Sequence, residues 1–161
     1  MKNEDYFRRG FRLNSVILAT VRCIKDDRVR FSVVDVNGEM CDAWYYIHGE
    51  HINPHQFFRK NEVIEVSVLR ICKDTRNNDA TMIEVRPLVL PIDLFVAKNT
   101  IGTEVKGKVI DIFGSGMTVE LAQNVCCQVK RIKRVKTGMS IFCKLIRYNE
   151  NRKVLFAAVI A

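Results

Sequence analysis

The chain has 161 residues, enough for one ordinary domain or two small ones, and 48% hydrophobic against 27% charged residues excludes an intrinsically disordered chain. No apolar run approaches the ~20 residues of a membrane-spanning helix, and the opening "MKNEDYFRRGFRLN" has no apolar stretch of the signal-peptide kind, so a cytoplasmic protein without a membrane partner is expected. The net charge of +8 is concentrated: residues 1–100 carry 15 Lys and Arg against 14 Asp and Glu, and residues 101–161 carry 11 against 4, which points to a polyanionic partner for the last third, nucleic acid before an anionic membrane surface.

The pattern is β almost throughout. From Ser15, "SVILATVRCI" alternates Val16, Leu18, Thr20 and Arg22 with Ile17, Ala19, Val21 and Cys23. "DDRVRFSVVDVNGEMCDAWYYI" follows, with Asn37-Gly38 as a hairpin signal between two apolar runs. A polar loop contains Pro54, which argues against a helix there. "NEVIEVSVLRIC" alternates strictly, placing Arg70 with Ile64, Val66 and Val68. "KDTRNND" is a turn cluster and "ATMIEVRPLVL" closes a unit of five strands. In "RPLVLPIDLFVAKNT", Pro87 and Pro91 block continuous strand pairing, and "PIDLFVAK" suits a short helical turn.

A second run begins at Ile101. "IGTEVKGKVIDIF" alternates Val105, Gly107, Val109 and Asp111, "GSG" turns or bulges it, and "MTVEL", "VCCQV", "MSIFCKLIRY" and "KVLFAAVIA" follow. Two five-strand units with the same order of long and short strands make an internal repeat. Five short strands that must hide their edges close into a small barrel, and the OB-fold is the five-stranded solution. The expected architecture is all-β, two tandem five-stranded OB-fold barrels at 13–88 and 101–161 joined by a connector at 89–100. One larger sandwich is the competing architecture.

The six cysteines (Cys23, Cys41, Cys72, Cys126, Cys127, Cys143) form no Cys-x-x-Cys pair and sit in apolar stretches, where they serve as small core residues in a reducing compartment. Asp26-Asp27 and Asp74 to Asp79 belong to turns, and no Walker loop, G-x-S-x-G or kinase motif is present.

The second unit resembles the S1-type RNA-binding domain. The residues that carry the resemblance are Gly102, Gly107-Lys108-Val109, Gly116 and Val119 to Leu121, then Gly138, the turn Asn149 to Arg152 and the closing strand Val154 to Ala158. The resemblance implies an OB-fold and single-stranded RNA as ligand. Two departures stand out. Ser115 and Thr118 fall where the family carries stacking aromatics, and the family's histidine position falls near Lys130. The segment before the fourth barrel strand is cut to "RIKRVK".

Charge stands in for the absent aromatics. Lys130, Arg131, Lys133, Arg134 and Lys136 put five cations in seven residues, with Ile132 and Val135 as anchors to the barrel, and Lys106, Lys108, Lys144 and Arg147 add to the positive side. Such a rail reads phosphates, giving affinity and position rather than sequence choice. Its bland alternative is a solvated loop.

The first unit resembles the same family more weakly, through "NSVILATVRCI", "RVRFSVVDVNG" and "FFRKNEVIEVSVLRI". In its third strand Trp44, Tyr46 and His48 share one face and Ala43, Tyr45 and Ile47 the other. With the second set in the core, Trp44, Tyr46 and His48 form a base-stacking face that Phe31 or Arg30 extends. The alternative is that Trp44 and Tyr46 are core or inter-domain residues.

His48, His51 and His55 give H-x-x-H-x-x-x-H, three imidazoles of the kind that bind zinc. No H-E-x-x-H or cysteine-pair signature accompanies them. No metal, cofactor or catalytic residue is therefore assigned. The expectation is a non-enzymatic protein that holds single-stranded or structured RNA, such as ribosomal RNA, through the second unit's rail and the first unit's aromatic strand, with Arg8, Arg9 and Arg12 as a basic arm. The first rival is a protein-interaction subunit or inhibitor docking on a ribosome, polymerase or nuclease complex. The second is a metal-dependent enzyme built on the histidines.

Overall fold

The computed structural model describes residues 10–47, 52–74 and 80–160. The chain divides into two compact units near Val89 and Leu90, and each is a closed five-stranded barrel. The all-β, two-barrel reading holds, and the single sandwich does not form.

The first barrel consists of β1 (Val16–Ile24), β2 (Arg28–Val34), β3 (Met40–Tyr46), β4 (Val63–Asp74) and β5 (Ala80–Pro87) in the closed order β1-β2-β3-β5-β4. All neighbours are antiparallel except the parallel pair β3–β5. The period-2 pattern sends one residue set inward: Ala19 and Val21, Val29 and Phe31, Ala43 and Tyr45, Val66 and Val68, Ile83 and Val85 are all buried. The hairpin forms around Asn37-Gly38, where the Asp35 carboxylate accepts the N–H groups of Asn37 and Glu39 at 2.8 and 2.9 Å.

Two expectations change. Strict alternation assigned Arg70 to the inward set, but a bulge between Val68 and Arg70 adds a residue, so Arg70 turns outward and Ile71 fills the core. A helix also forms where Pro54 argued against one: α1 (Pro54–Phe57) is a single turn. Pro54 occupies its first turn, where an N–H has no partner to lose, and Asn53 caps it by accepting the His55 N–H at 3.1 Å. The helix delivers Phe58 edge-on to Phe31 and Tyr45, with ring centroids 5.8 and 6.0 Å apart, and so closes one end of the core.

The second barrel consists of β6 (Glu104–Phe113), β7 (Gly116–Ala122), β8 (Val125–Lys130), β9 (Ser140–Asn149) and β10 (Val154–Val159) in the order β10-β8-β7-β6-β9, the first barrel's order again. Its core holds Val109, Met117, Val119, Cys127, Cys143, Leu145 and Leu155. A Cβ on Gly107 would lie 2.5 Å from Val119 Cγ1 and 2.9 Å from the Glu120 carbonyl oxygen, so only glycine fits between β6 and β7.

Before this barrel, Pro91–Lys98 forms the two-turn helix α2. The Asp93 carboxylate accepts the Leu90 N–H at 2.8 Å, the Lys153 ammonium at 2.8 and 2.9 Å and the Tyr148 hydroxyl at 2.5 Å. Burial pushes the Asp93 carboxyl up, but the hydrogen bonds from Lys153, Tyr148 and Leu90 outweigh it and hold the group below its ordinary range. The segment read as a connector is thus tied to the β9–β10 turn.

Candidate nucleic-acid interface

The second barrel carries an open groove of about 760 Å³ across β7, β8 and β10. Phe113, 47% exposed at the end of β6, stands on one side, and its ring covers the backbone of Gly116, where a Cβ would come within 2.9 Å of it. Phe156 of β10 stands on the other, with the Arg147 guanidinium 4.4 Å above its ring centroid. Gln128, Lys130 and Ile146 complete the lining. Apolar rings beside cations suit a planar, negatively charged ligand, because a base stacks on the ring while a phosphate meets the cation.

Sequence reasoning missed this groove. It compared Ser115 and Thr118 with stacking residues, whereas Thr118 is buried with its hydroxyl 3.3 Å from Gln128 Oε1. The aromatic is Phe113. A bulge between Val109 and Asp111 interrupts the alternation of β6 and turns Asp111 and Phe113 outward, a shift the residue pattern alone does not announce.

The basic segment begins at the groove. Lys130, the last residue of β8, lines it opposite Gly116. Arg131 wraps the β6–β7 turn, its N–H bonding the Ser115 carbonyl at 2.8 Å and its guanidinium the Gly114 carbonyl at 3.4 Å. Lys133, Arg134 and Lys136 follow in a loop whose cations are all exposed. Of the two expected anchors, Val135 is half-buried while Ile132 is exposed. The loop is held instead by backbone bonds, Gly138 N–H to the Val109 carbonyl at 2.7 Å among them. Lys106 and Lys108 lie outside this loop, on the outer face of β6. Lys106 Nζ stands 5.9 Å from the Phe142 ring centroid, and Lys108 is opposite Glu120 and Ser140.

In the first barrel, Ala43 and Tyr45 point into the core, and Trp44 and Tyr46 lie half-exposed on the outer face. Their rings are near-parallel, 21° apart with centroids separated by 6.2 Å. The Arg28 guanidinium stands 5.5 Å from the Trp44 ring, and Arg30, directly opposite Trp44, pairs with Asp42 at 3.4 Å. Phe31 cannot extend this face because it is fully buried; Arg30 does.

His48 and His51 lie outside the described residues, as do Arg8 and Arg9. His55, on α1, bonds Asp26 through Nε2 at 2.9 Å. Among the described residues no three His, Cys, Asp or Glu side chains gather as metal ligands, and no helix is long and apolar enough to cross a membrane.

No protein-family model matches the chain, and no curated protein matches it. Among solved structures, a multidomain protein with nucleic acid binding domains from Streptococcus pneumoniae TIGR4 is similar over 94% of this chain and 54% of that one, at 14% identity and a TM-score of 0.35. The chain therefore spans about half the length of that protein. A second structure, described as "structural mimicry for functional antagonism", is similar over 92% of this chain and 93% of the other, at 10% identity and a TM-score of 0.27. At such TM-scores neither likeness bears on what this chain binds.

Proposed function

We propose that the chain is a non-enzymatic RNA-binding protein that holds single-stranded RNA, free or exposed on a structured RNA such as ribosomal RNA. One observation carries the reading: an aromatic groove, Phe113 and Phe156 with Arg147, opens at Lys130 directly into the exposed cationic loop Arg131 to Lys136. Bases stack in the groove while the loop tracks phosphates, the combination single-strand binders use. Trp44 and Tyr46, flanked by Arg28 and Arg30, offer a second stacking surface of the same chemistry.

The test is fluorescence anisotropy with a short unstructured RNA and its DNA counterpart over a salt series, with Trp44 emission followed in parallel. Binding whose log K falls steeply with log salt, weakened by Phe113→Ala and Arg147→Ala, is the expected result. Absence of binding at low salt overturns the reading. Quenching of Trp44 assigns the first barrel a share of the site, and binding without quenching restricts the site to the second barrel.

A second reading, docking on a protein partner, is favoured by the outer face of β1 and β4. Leu18 (65% exposed), Val16 and Val63 are displayed there, beside a cleft of about 250 Å³ lined by Phe57, Leu88, Glu62 and Glu65. Charge reversal at Lys133 and Arg134 abolishes RNA binding but spares an apolar contact at that face.

A further inference from the structure

We propose that the outer face of β6 and β9 extends the RNA site of the second barrel, with Phe142 as an additional stacking residue and Lys106, Lys108 and Lys144 as phosphate contacts. The inference rests on the RNA reading above and adds a path and a length preference to it.

Strand β9 runs past the groove rather than ending in it. Its inward residues Ile141, Cys143 and Leu145 are buried, so Phe142, Lys144 and Ile146 project outward in line. Phe142 is 57% exposed and Ile146 is 53% exposed. Phe142 keeps more than half of its surface in water, with the Lys106 ammonium 5.9 Å from its ring centroid. Ile146 is also part of the groove lining, as is Phe113 at the end of β6. The outer face therefore reaches the groove along β9, through Lys144 to Ile146, whereas on β6 the bulge and the outward Asp111 lie between Lys108 and Phe113. From Phe142 to Ile146 the path is about 13 Å, at ~3.3 Å per residue.

Cations accompany that path. Lys106 is directly opposite Phe142 on the neighbouring strand, with its ammonium over the ring, and Lys108 and Lys144 are one pair further along in either direction. Glu120 stands across from Lys108, and Glu104 across from Lys144, so the acids bound the patch while its centre at Phe142 and Lys106 carries none. An aromatic ring beside a lysine at this centre has the same stacking-and-phosphate chemistry as Phe156 with Arg147. That repetition favours a nucleic-acid strand over a protein occupant.

The experiment compares labelled oligouridines of about 4 and about 12 nucleotides, the span of site sizes found for such barrels, on the intact chain. The expected result is tighter binding of the longer RNA. Phe142→Ala then lowers its affinity roughly fivefold or more, and Lys106→Gln with Lys144→Gln lowers the salt slope by about 0.7 per lysine. Binding of the shorter RNA, which fits the groove, stays unchanged in both variants. Equal affinity for the two lengths overturns the inference and leaves the groove intact. So does a length advantage that survives Phe142→Ala but vanishes on charge reversal at Lys133 and Arg134, because the loop alone then carries it. If neither RNA binds and Phe113→Ala changes nothing, the functional reading falls and this inference with it; retention of an acidic protein by the same lysines would then mark the face as a protein site.

Discussion

Asn61 and Gly138 hold the same backbone position in the two barrels. Each is left-handed, at φ 70° and 95°, and each donates its N–H to a carbonyl on its barrel's first strand, Val21 at 2.8 Å and Val109 at 2.7 Å. Asn14 and Gly102 make a second such pair, bonding Val68 at 2.7 Å and Leu145 at 2.8 Å. Asparagine is the non-glycine residue that best tolerates this conformation. Asn61→Gly is therefore expected to shift stability by only a few tenths of a kcal/mol, and Gly138→Ala to cost ~1 kcal/mol or more. Urea unfolding of the two variants checks the asymmetry.

Gly107→Ala is the more damaging substitution. The new methyl would meet Val119, Leu121 and the Glu120 carbonyl oxygen within 3 Å, and a backbone atom yields little. Overpacking of this kind costs about 1–3 kcal/mol. The loss is read from the unfolding midpoint of the second barrel, with Asn61→Gly as the unperturbed control.

Asp93 links α2 to the second barrel and makes that link pH-dependent. Its folded pKa lies below the ordinary value of 3.8. A depressed carboxylate contributes stability that is full above the unfolded value and is lost as pH falls through the folded one. The wild-type protein is thus expected to lose this contribution only below the ordinary carboxylate range. Asp93→Asn lacks it at neutral pH and strands the Lys153 ammonium, which is 7% exposed, at a cost of about 3 kcal/mol. Adding Lys153→Met to that variant recovers much of the loss, and denaturation curves from neutral to acidic pH separate the cases.

The cysteines report barrel opening. Burial, with the Glu120 carboxylate nearby, pushes the Cys126 thiol up to about 11. The hydrogen bond with Cys143, together with burial, keeps Cys127 protonated far above the ordinary thiol range. Among Cys23, Cys41, Cys126, Cys127 and Cys143, alkylation at mildly basic pH is expected first at the half-buried Cys23 and Cys41. Labelling of Cys127 should follow the unfolding of the second barrel, as peptide mass mapping over a denaturant series will show.

Neutralising Lys133 and Arg134 together is expected to flatten the salt dependence of RNA binding by about 0.7 per cation without altering sequence preference. The same binding curves collected with a second RNA sequence check the latter point.

Much of the fold was legible because alternation and turn residues are local signals. Ala43 and Tyr45 went inward and Trp44 and Tyr46 outward by strand period alone. The repeat was blurred where Asn14 and Asn61 replace the glycines that made the second unit recognisable. The groove was hidden for two reasons. Arg147 and Phe156 face each other within one hairpin, but Phe113 reaches their groove only through pairings distant in sequence, and the bulges at Val109/Asp111 and Phe156/Ala157 each shift the face on which later residues emerge. A bulge leaves no residue type as its mark, so the pattern up to Val109 extrapolates to the wrong side.

Both sheets close on themselves, so among the described residues every strand has two neighbours, the closing parallel contacts β3–β5 and β8–β10 being short, two residue pairs each. Stacking of native molecules edge to edge, the first step toward fibrils in β-rich proteins, is thereby left only short stretches of unpaired strand in either barrel. Outward residues such as Leu18 in the first barrel and Phe142 in the second can then be exchanged one by one without disturbing the ladder beneath.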